Sequence, residues 1–271
     1  MENSKALYVY GIVSNREEIP TVWMDPKASL HLFPYQEIAA LVSEVDLGEF
    51  GESALTQNLK NLEWVKEQVL AHEKVLEKVM DSQTVVPMKF GAIFTSEERL
   101  VKVLADSYEE FLELLEKLEG RLEWAVKIYG DSEALKATLA KTNPRVRAVS
   151  KEIAQESAGM AYLLKKKFDT ALTEEADVEK GKRLREIYNR LSHHAAEAKL
   201  GGLSPRELTG KEKPMIFHAI FLIAKSKLNG FTKEVQDLKR EVSDLGWEFE
   251  QVGPFPPYNF SELCQSEEAH S

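Results

Sequence analysis

Residues Leu122–Gly130 read LEWAVKIYG, a run rich in aliphatic and aromatic side chains and closed by a glycine. Residues Ala6–Val13 read ALYVYGIV and have the same character. Both predict buried strands, because short runs of β-branched and aromatic residues between polar flanks suit a sheet. Gly120 lies just ahead of the later run, so the pattern starts afresh there. That restart predicts a first domain at residues 1–119, a second at 120–260, and a disordered acidic tail at 261–271.

Downstream of the restart, Ser132–Lys141 predicts a helix that Asn143-Pro144 interrupts. Helical spacing resumes at Val146 and continues to about Leu200. Val146, Val149, Ile153, Met160, Leu164 and Phe168 form one apolar stripe; Leu184, Ile187, Leu191, Ala195 and Ala198 form another. The polar stretch Asp169–Gly181 between them predicts a turn, and hence an antiparallel helical hairpin. Gly201-Gly202 ends this region, Leu203–Leu208 reads as a weak strand and Met215–Ala224 (MIFHAIFLIA) as a strong one. Phe231, Val235, Leu238, Val242 and Leu245 recur in steps of 4, 3, 4 and 3, a helical period. Gly246 caps that helix, and Trp247–Val252 alternates as a last strand. The order β-α-β-β-α-β is the ferredoxin-like pattern. The predicted fold is therefore α+β: an N-terminal mixed α/β domain, then a C-terminal ferredoxin-like domain carrying a long helical-hairpin insertion at about 132–200.

In the first domain, Ser29–Leu32 and Ile38–Val45 predict strands around a Pro34-Tyr35 turn, with Pro20 and Pro26 in the preceding loop. Apolar residues from Leu55 to Met80 at helical spacing predict one long amphipathic helix. Thr84–Val86 and Ala92–Phe94 predict two short strands. Thr95 or Ser96, followed by Glu97 and Glu98, is an N-cap signal for a helix running to about Leu118 and bent near Ser107.

Composition excludes several function classes. The 271 residues include 35 basic and 45 acidic side chains, a net charge of −10, which opposes broad binding to polyanionic nucleic acid or lipid. One cysteine, Cys264, allows neither an intrachain disulfide nor a thiolate-rich metal site. The apolar window Met215–Ala224 is about half of a bilayer-spanning helix. The N-terminal residues lack the long apolar run of a secretory signal, so the chain reads as soluble and intracellular.

Motifs for catalysis fail individually. His72-Glu73 does not extend to HExxH, because position 76 is Leu76. His72 lies on the apolar stripe between Val69 and Leu76, the place of a buried or interface histidine. His193 and His194 point about 100° apart on a helix and cannot readily share a metal. Gly210-Lys211 lacks the first glycine and the Ser/Thr of a P-loop. Cys264 has no basic neighbour to activate its thiol. No catalytic, cofactor-binding or metal-binding residue is predicted, and the chain does not read as an enzyme.

Two segments resist a purely structural account. In the first, Pro87-Met88-Lys89-Phe90-Gly91 follows Val85-Val86 and predicts a strand edge or bulge. In the second, Gly253-Pro254-Phe255-Pro256-Pro257-Tyr258-Asn259-Phe260, three prolines favour extended geometry without a sheet ladder. Its rings either pack on their own domain or meet a partner.

TVVPMKFGAIF (84–94), EWAVKIYG (123–130), SAGMAYLLKKK (157–167) and GPFPPYNF (253–260), with LYVYGIV near the start, occur in this order. Together they resemble the gas vesicle protein F/L family, GvpF and GvpL, over about residues 6–260. One departure is Phe255, where the family often carries tryptophan. The resemblance implies an assembly factor or minor structural component of gas vesicles. It would be found at the vesicle or in the cytoplasm during assembly, without cofactors. The implied partners are the small hydrophobic shell protein and other minor vesicle proteins, with no nucleic acid and no membrane. The candidate interaction residues are Pro87, Met88, Phe90, Gly91, Gly253, Pro254, Phe255, Pro257, Tyr258 and Phe260. The rival reading is a regulatory or ligand-binding ferredoxin-like module unrelated to gas vesicles. An RNA-binding version is disfavoured, because MIFHAIFLIA lacks the basic residue and glycine of an RNP strand.

Overall fold

The structure is a computed structural model describing residues 5–15, 30–153, 155 and 158–262. Pro20, Pro26, Ser29, Cys264 and the tail from residue 263 lie outside the described residues. The chain divides into two compact units, Met1–Glu123 with Pro254–Ser271, and Trp124–Gly253. The sequence pattern put residues 254–260 at the end of the second domain; they pack with the first unit instead.

The first unit is built on a sheet of β1 (Lys5–Ser14), β2 (His31–Tyr35), β3 (Ile38–Asp46), β4 (Val85–Pro87) and β5 (Ile93–Phe94). Its order is β2-β3-β1-β4, and β5 shares the β1 edge with β4. Pro34 and Tyr35 are strand residues, and the turn falls at Gln36-Glu37, with Gln36 at φ 52. Because β2 is an edge strand, the N–H that Pro34 lacks costs it no ladder bond.

β1 carries a bulge between Val9 and Gly11, so Tyr10 is skipped in the β1–β3 register. Side chains alternate faces along a strand, so the extra residue reverses the parity beyond it. Tyr8 and Tyr10 therefore share a face with Gly11 and Val13. Gly11 is required there: a Cβ would lie 2.6 Å from Val85 Cγ2 and 2.8 Å from the Val86 carbonyl oxygen.

Helices α1 (Leu47–Phe50), α2 (Glu52–Asn58) and α3 (Leu62–Met80) follow β3. The single helix expected over 55–80 is interrupted because the Asn61 side chain accepts from the Glu63 and Trp64 amides and starts α3 anew. α3 lays Leu76 and Val79 onto Val13, Ala39, Leu41 and Val85. Ser96 caps α4 (Glu97–Asp106), and Ser107 separates it from α5 (Tyr108–Leu118), whose Phe111, Leu114, Leu115 and Leu118 are buried.

Beyond Gly120 come β6 (Arg121–Tyr129), α6 (Glu133–Thr142), α7 (Pro144–Ile153), α8 (Ala158–Ser192), β7 (Glu197–Leu200), α9 (Arg206–Thr209), β8 (Met215–Ala224), α10 (Leu228–Glu241) and β9 (Glu248–Phe255). The sheet order is β7-β8-β6-β9, with β7 antiparallel to β8. Both sheets make this a mixed α/β fold.

Three expectations change here. The turn predicted at 169–181 is absent, and α8 is continuous through it, with α6 and α7 packed against it. Those residues are polar because most of that stretch faces water: Lys180–Asp177 and Arg183–Glu179 pair along the helix, and the small Ala176 is the fully buried contact. Helix α8 also ends at Ser192, short of Leu200. Finally, the strand paired with β8 is β7, while the predicted strand Leu203–Leu208 runs instead into α9 (Arg206–Thr209) after Pro205. β7 is an edge strand with Lys199 and Leu200 exposed, so it lacks the apolar run that announces a central strand.

Candidate functional site

The two distinctive segments meet in the first unit, around His72. Along the β1 edge, Gly11 pairs with Pro87 and Tyr8 with Ile93. β1 thus advances three residues (11 − 8) while its partner advances six (93 − 87), and the excess loops out as the Met88–Gly91 turn. The Met88 amide donates to the Tyr10 carbonyl at 2.9 Å, and the Val9 amide donates to the Ala92 carbonyl at 2.8 Å. The predicted edge with a bulge is therefore a turn fastened to β1 at the bulge. Gly91 adopts φ 84, a conformation that favours glycine, and its amide donates to the Tyr8 hydroxyl at 3.2 Å.

His72, on α3, is 2 % exposed. Its Nδ1 lies 2.8 Å from the Tyr8 hydroxyl and its Nε2 lies 3.1 Å from the Tyr258 hydroxyl. Tyr258 donates its hydrogen to Glu73 Oε1 at 2.8 Å. With that hydrogen committed, Tyr258 accepts from Nε2–H, so Nδ1 accepts from Tyr8, whose oxygen in turn accepts from Gly91. The network closes with a neutral imidazole. Burial pushes the His72 pKa down from 6.5 to about 4, partly offset by the Met88 backbone. Burial also raises the phenol of Tyr8, and burial with the adjacent Glu73 carboxylate raises that of Tyr258. At neutral pH the imidazole and both phenols are therefore uncharged. The arrangement clamps chain segments together and presents no activated nucleophile.

Tyr10 stacks on His72 with ring centroids 5.4 Å apart, and Phe90 approaches both Tyr8 (6.3 Å) and His72 (6.2 Å). A second attachment lies at Glu123, which is 3 % exposed. It accepts the Asn259 amide at 3.0 Å and the Asn259 side-chain Nδ2–H at 2.6 Å.

Of the predicted residues, Phe90, Gly91 and Tyr258 converge on Tyr8 and His72, and Met88 is bonded to Tyr10. Pro87 and Pro257 are buried, and Phe260 lies in the interior at 2 % exposure. Gly253, Pro254 and Phe255 sit outside the cluster as residues of β9. The segment was expected to avoid regular structure; instead β9 extends to Phe255 and residues Tyr258–Phe260 form a 3-10 turn. Tyr8, Tyr10, Glu73, Glu123 and Asn259 escaped the sequence reading. The apolar position of His72 was the available signal, since a buried imidazole requires hydrogen-bonding partners. Among the described residues, no group of three His, Cys, Asp or Glu side chains is placed to hold a metal ion, and no helix is long and apolar enough to cross a membrane.

The chain is similar to gas vesicle protein L of a Streptomyces species, 24 % identical over 237 residues and covering 87 % of this chain and 84 % of that protein. Gas vesicle protein F of the same organism is 27 % identical over 260 residues, 94 % of this chain and 99 % of its own. Among solved structures, the crystal structure of gas vesicle protein GvpF from Anabaena matches with a TM-score of 0.71 at 20 % identity, covering 97 % of this chain and all (100 %) of that one. GvpF from Microcystis aeruginosa matches with a TM-score of 0.62 at 20 % identity, over 95 % and 99 % of the two chains. The family model described as gas vesicle synthesis protein GvpL/GvpF matches residues 6–262, which sets aside a module unrelated to gas vesicles: the chain belongs to the GvpL/GvpF family.

Proposed function

We propose that this protein acts in gas vesicle formation as an assembly factor or minor structural component that binds the small hydrophobic shell protein. The observation that carries the reading is the family match across residues 6–262. Physical chemistry supports it. A subunit that must exclude water from a gas space is apolar and prone to aggregate before assembly, so a partner with a net charge of −10 would keep the pair soluble. We take the second unit to be ferredoxin-like with a helical insertion, and the β7-β8-β6-β9 order supports that topology. Within the two motif segments, the roles divide. Pro87, Pro257, Tyr258 and Phe260 act as internal support, while the partly exposed Phe90 and Phe255 are the rings offered to a partner. Met88, Gly91, Gly253 and Pro254 shape the backbone that presents them.

Co-purification tests the reading. The full chain should retain co-expressed shell protein, and Phe255→Ala should weaken capture without unfolding the chain. A folded chain that captures no shell protein would overturn the partnership. Flotation separates the two roles: intact vesicles are washed with urea, collapsed and probed for this chain. Retention indicates a structural component, and loss indicates an assembly factor.

A further inference from the structure

Beside the His72 network, the first unit holds a cleft of about 300 Å³. Tyr8, Tyr10, Phe50, Phe90 and the His72 ring wall it. Tyr8 stands 4.8 Å from Tyr10 and 6.0 Å from Phe50, centroid to centroid. Glu44, Asp46 and Glu49 also line the cleft, and no lysine or arginine is among the described residues that line it. Among the described residues each carboxylate already has a contact: Asp46 caps α1 through the Gly48 amide, Glu49 accepts from Trp64 Nε1–H at 2.7 Å, and Glu44 pairs with the exposed Lys5 and feels the charge of His31. A carboxylate offers about four acceptor sites, so each retains capacity for a further donor. The exposed Lys5 pair contributes little and is readily exchanged.

Aromatic faces present negative potential and attract cations, Arg guanidinium above all. Carboxylates at the same mouth add negative charge, which Lys5 offsets only at Glu44, from outside the described lining residues. Burial also keeps His72 uncharged, so among the described lining residues no side chain carries a positive charge that would repel a cation. We propose that this cleft receives the guanidinium or ammonium group of an arginine or lysine side chain from a partner protein. Its size favours a side chain over a free amine. About 300 Å³ is the lower end of small-ligand sites, so the cleft seats one cationic head and gains affinity when that head is tethered to a wider contact. The inference rests on the cleft alone and holds whichever protein presents the side chain.

Trp64 Nε1–H reports on the site, because it donates to Glu49 and its ring lies 5.5 Å from Phe50. The full chain, labelled at tryptophan with nitrogen-15, is titrated with the pentapeptide Gly-Gly-Arg-Gly-Gly, its citrulline counterpart and free ethylguanidinium. The arginine peptide should shift the Trp64 indole signal saturably, with the citrulline peptide about tenfold weaker for want of charge. Glu49→Gln, which keeps an acceptor for Trp64, and Phe50→Leu should each weaken binding about 2- to 10-fold, and added salt should weaken it further. Equal binding of ethylguanidinium would overturn the partner side chain in favour of a free organic cation. No saturable shift, or equal shifts from the citrulline peptide, would overturn the site.

Discussion

The two units keep their polar groups in different places. In the second, Val126, Ile128, Phe217, Phe221, Phe231, Leu238 and Trp247 form a continuous apolar interior, and ion pairs such as Arg190 with Glu234 and Glu241 stay near the surface. In the first, Ser43, His72, Glu123 and Ser261 are buried, and all four buried polar residues among the described ones belong to that unit. Apolar burial is nondirectional and tolerates many partners of suitable volume. A buried donor or acceptor accepts only a partner of matching geometry. The first unit therefore selects one particular segment, the closing 256–260, while the second needs only a well-filled core.

The contrast breaks most visibly at Phe231, which is fully buried against Phe221 at 5.3 Å between ring centroids. Phe231→Ala should lower stability by about 3–5 kcal/mol through lost transfer energy and the cavity left behind. Urea unfolding followed at Trp247 would measure it. An effect below about 1 kcal/mol would mean that this core re-collapses and is not closely packed.

Acid should act on the first unit. The folded His72 has a pKa of about 4 against 6.5 when unconstrained, so between those values the unfolded state binds the extra proton. Stability from this group is full above pH 6.5 and is lost as pH falls toward 4, by about 3 kcal/mol at roughly 1.4 kcal/mol per unit. Unfolding followed at Trp64 should show that slope, and His72→Gln should flatten it. An unchanged slope in the variant would assign the acid sensitivity elsewhere.

Glu123→Gln comes next. The amide keeps one acceptor for Asn259 but loses the charge behind both hydrogen bonds, a cost of about 1.5–3 kcal/mol. Limited proteolysis should then cut the closing segment faster while the second unit stays intact. Equal protection in the variant would show that Tyr258 and Phe260 hold the segment unaided.

These contrasts were unevenly legible in the sequence. The strand from Leu122, the helix cap expected at Thr95 or Ser96, the bend near Ser107 and the β8 strand rest on local signals, and the structure has each, with Ser96 as the cap. Helix α8 misled because a solvated helix face and a turn share the same polar composition. The bulge at Tyr10 left no mark in ALYVYGIV, since register is a property of the pair β1–β3. The site was least legible. His72 and Tyr258 are 186 positions apart, and Glu123 and Asn259 are 136 apart, so only the folded chain brings them together.

The smallest expected effect is at Arg190, the second unit's surface counterpart to the buried Glu123. Its guanidinium makes two bonds to Glu241, at 2.6 and 2.9 Å, and one to Glu234 at 2.6 Å. Glu123 likewise holds Asn259 through hydrogen bonds of 3.0 and 2.6 Å. Yet the Arg190 side chain is 31 % exposed, so water already solvates much of the charge and salt screens the rest. Arg190→Met keeps most of the aliphatic stem against the helix and removes only the charged fork. It should cost about 0.5–1 kcal/mol at low salt and less at high salt, measured by urea unfolding at two ionic strengths. A loss as large as that of Glu123→Gln, and insensitive to salt, would mean that burial does not set the strength of these contacts. The difference between the two units would then lie only in which residues they use.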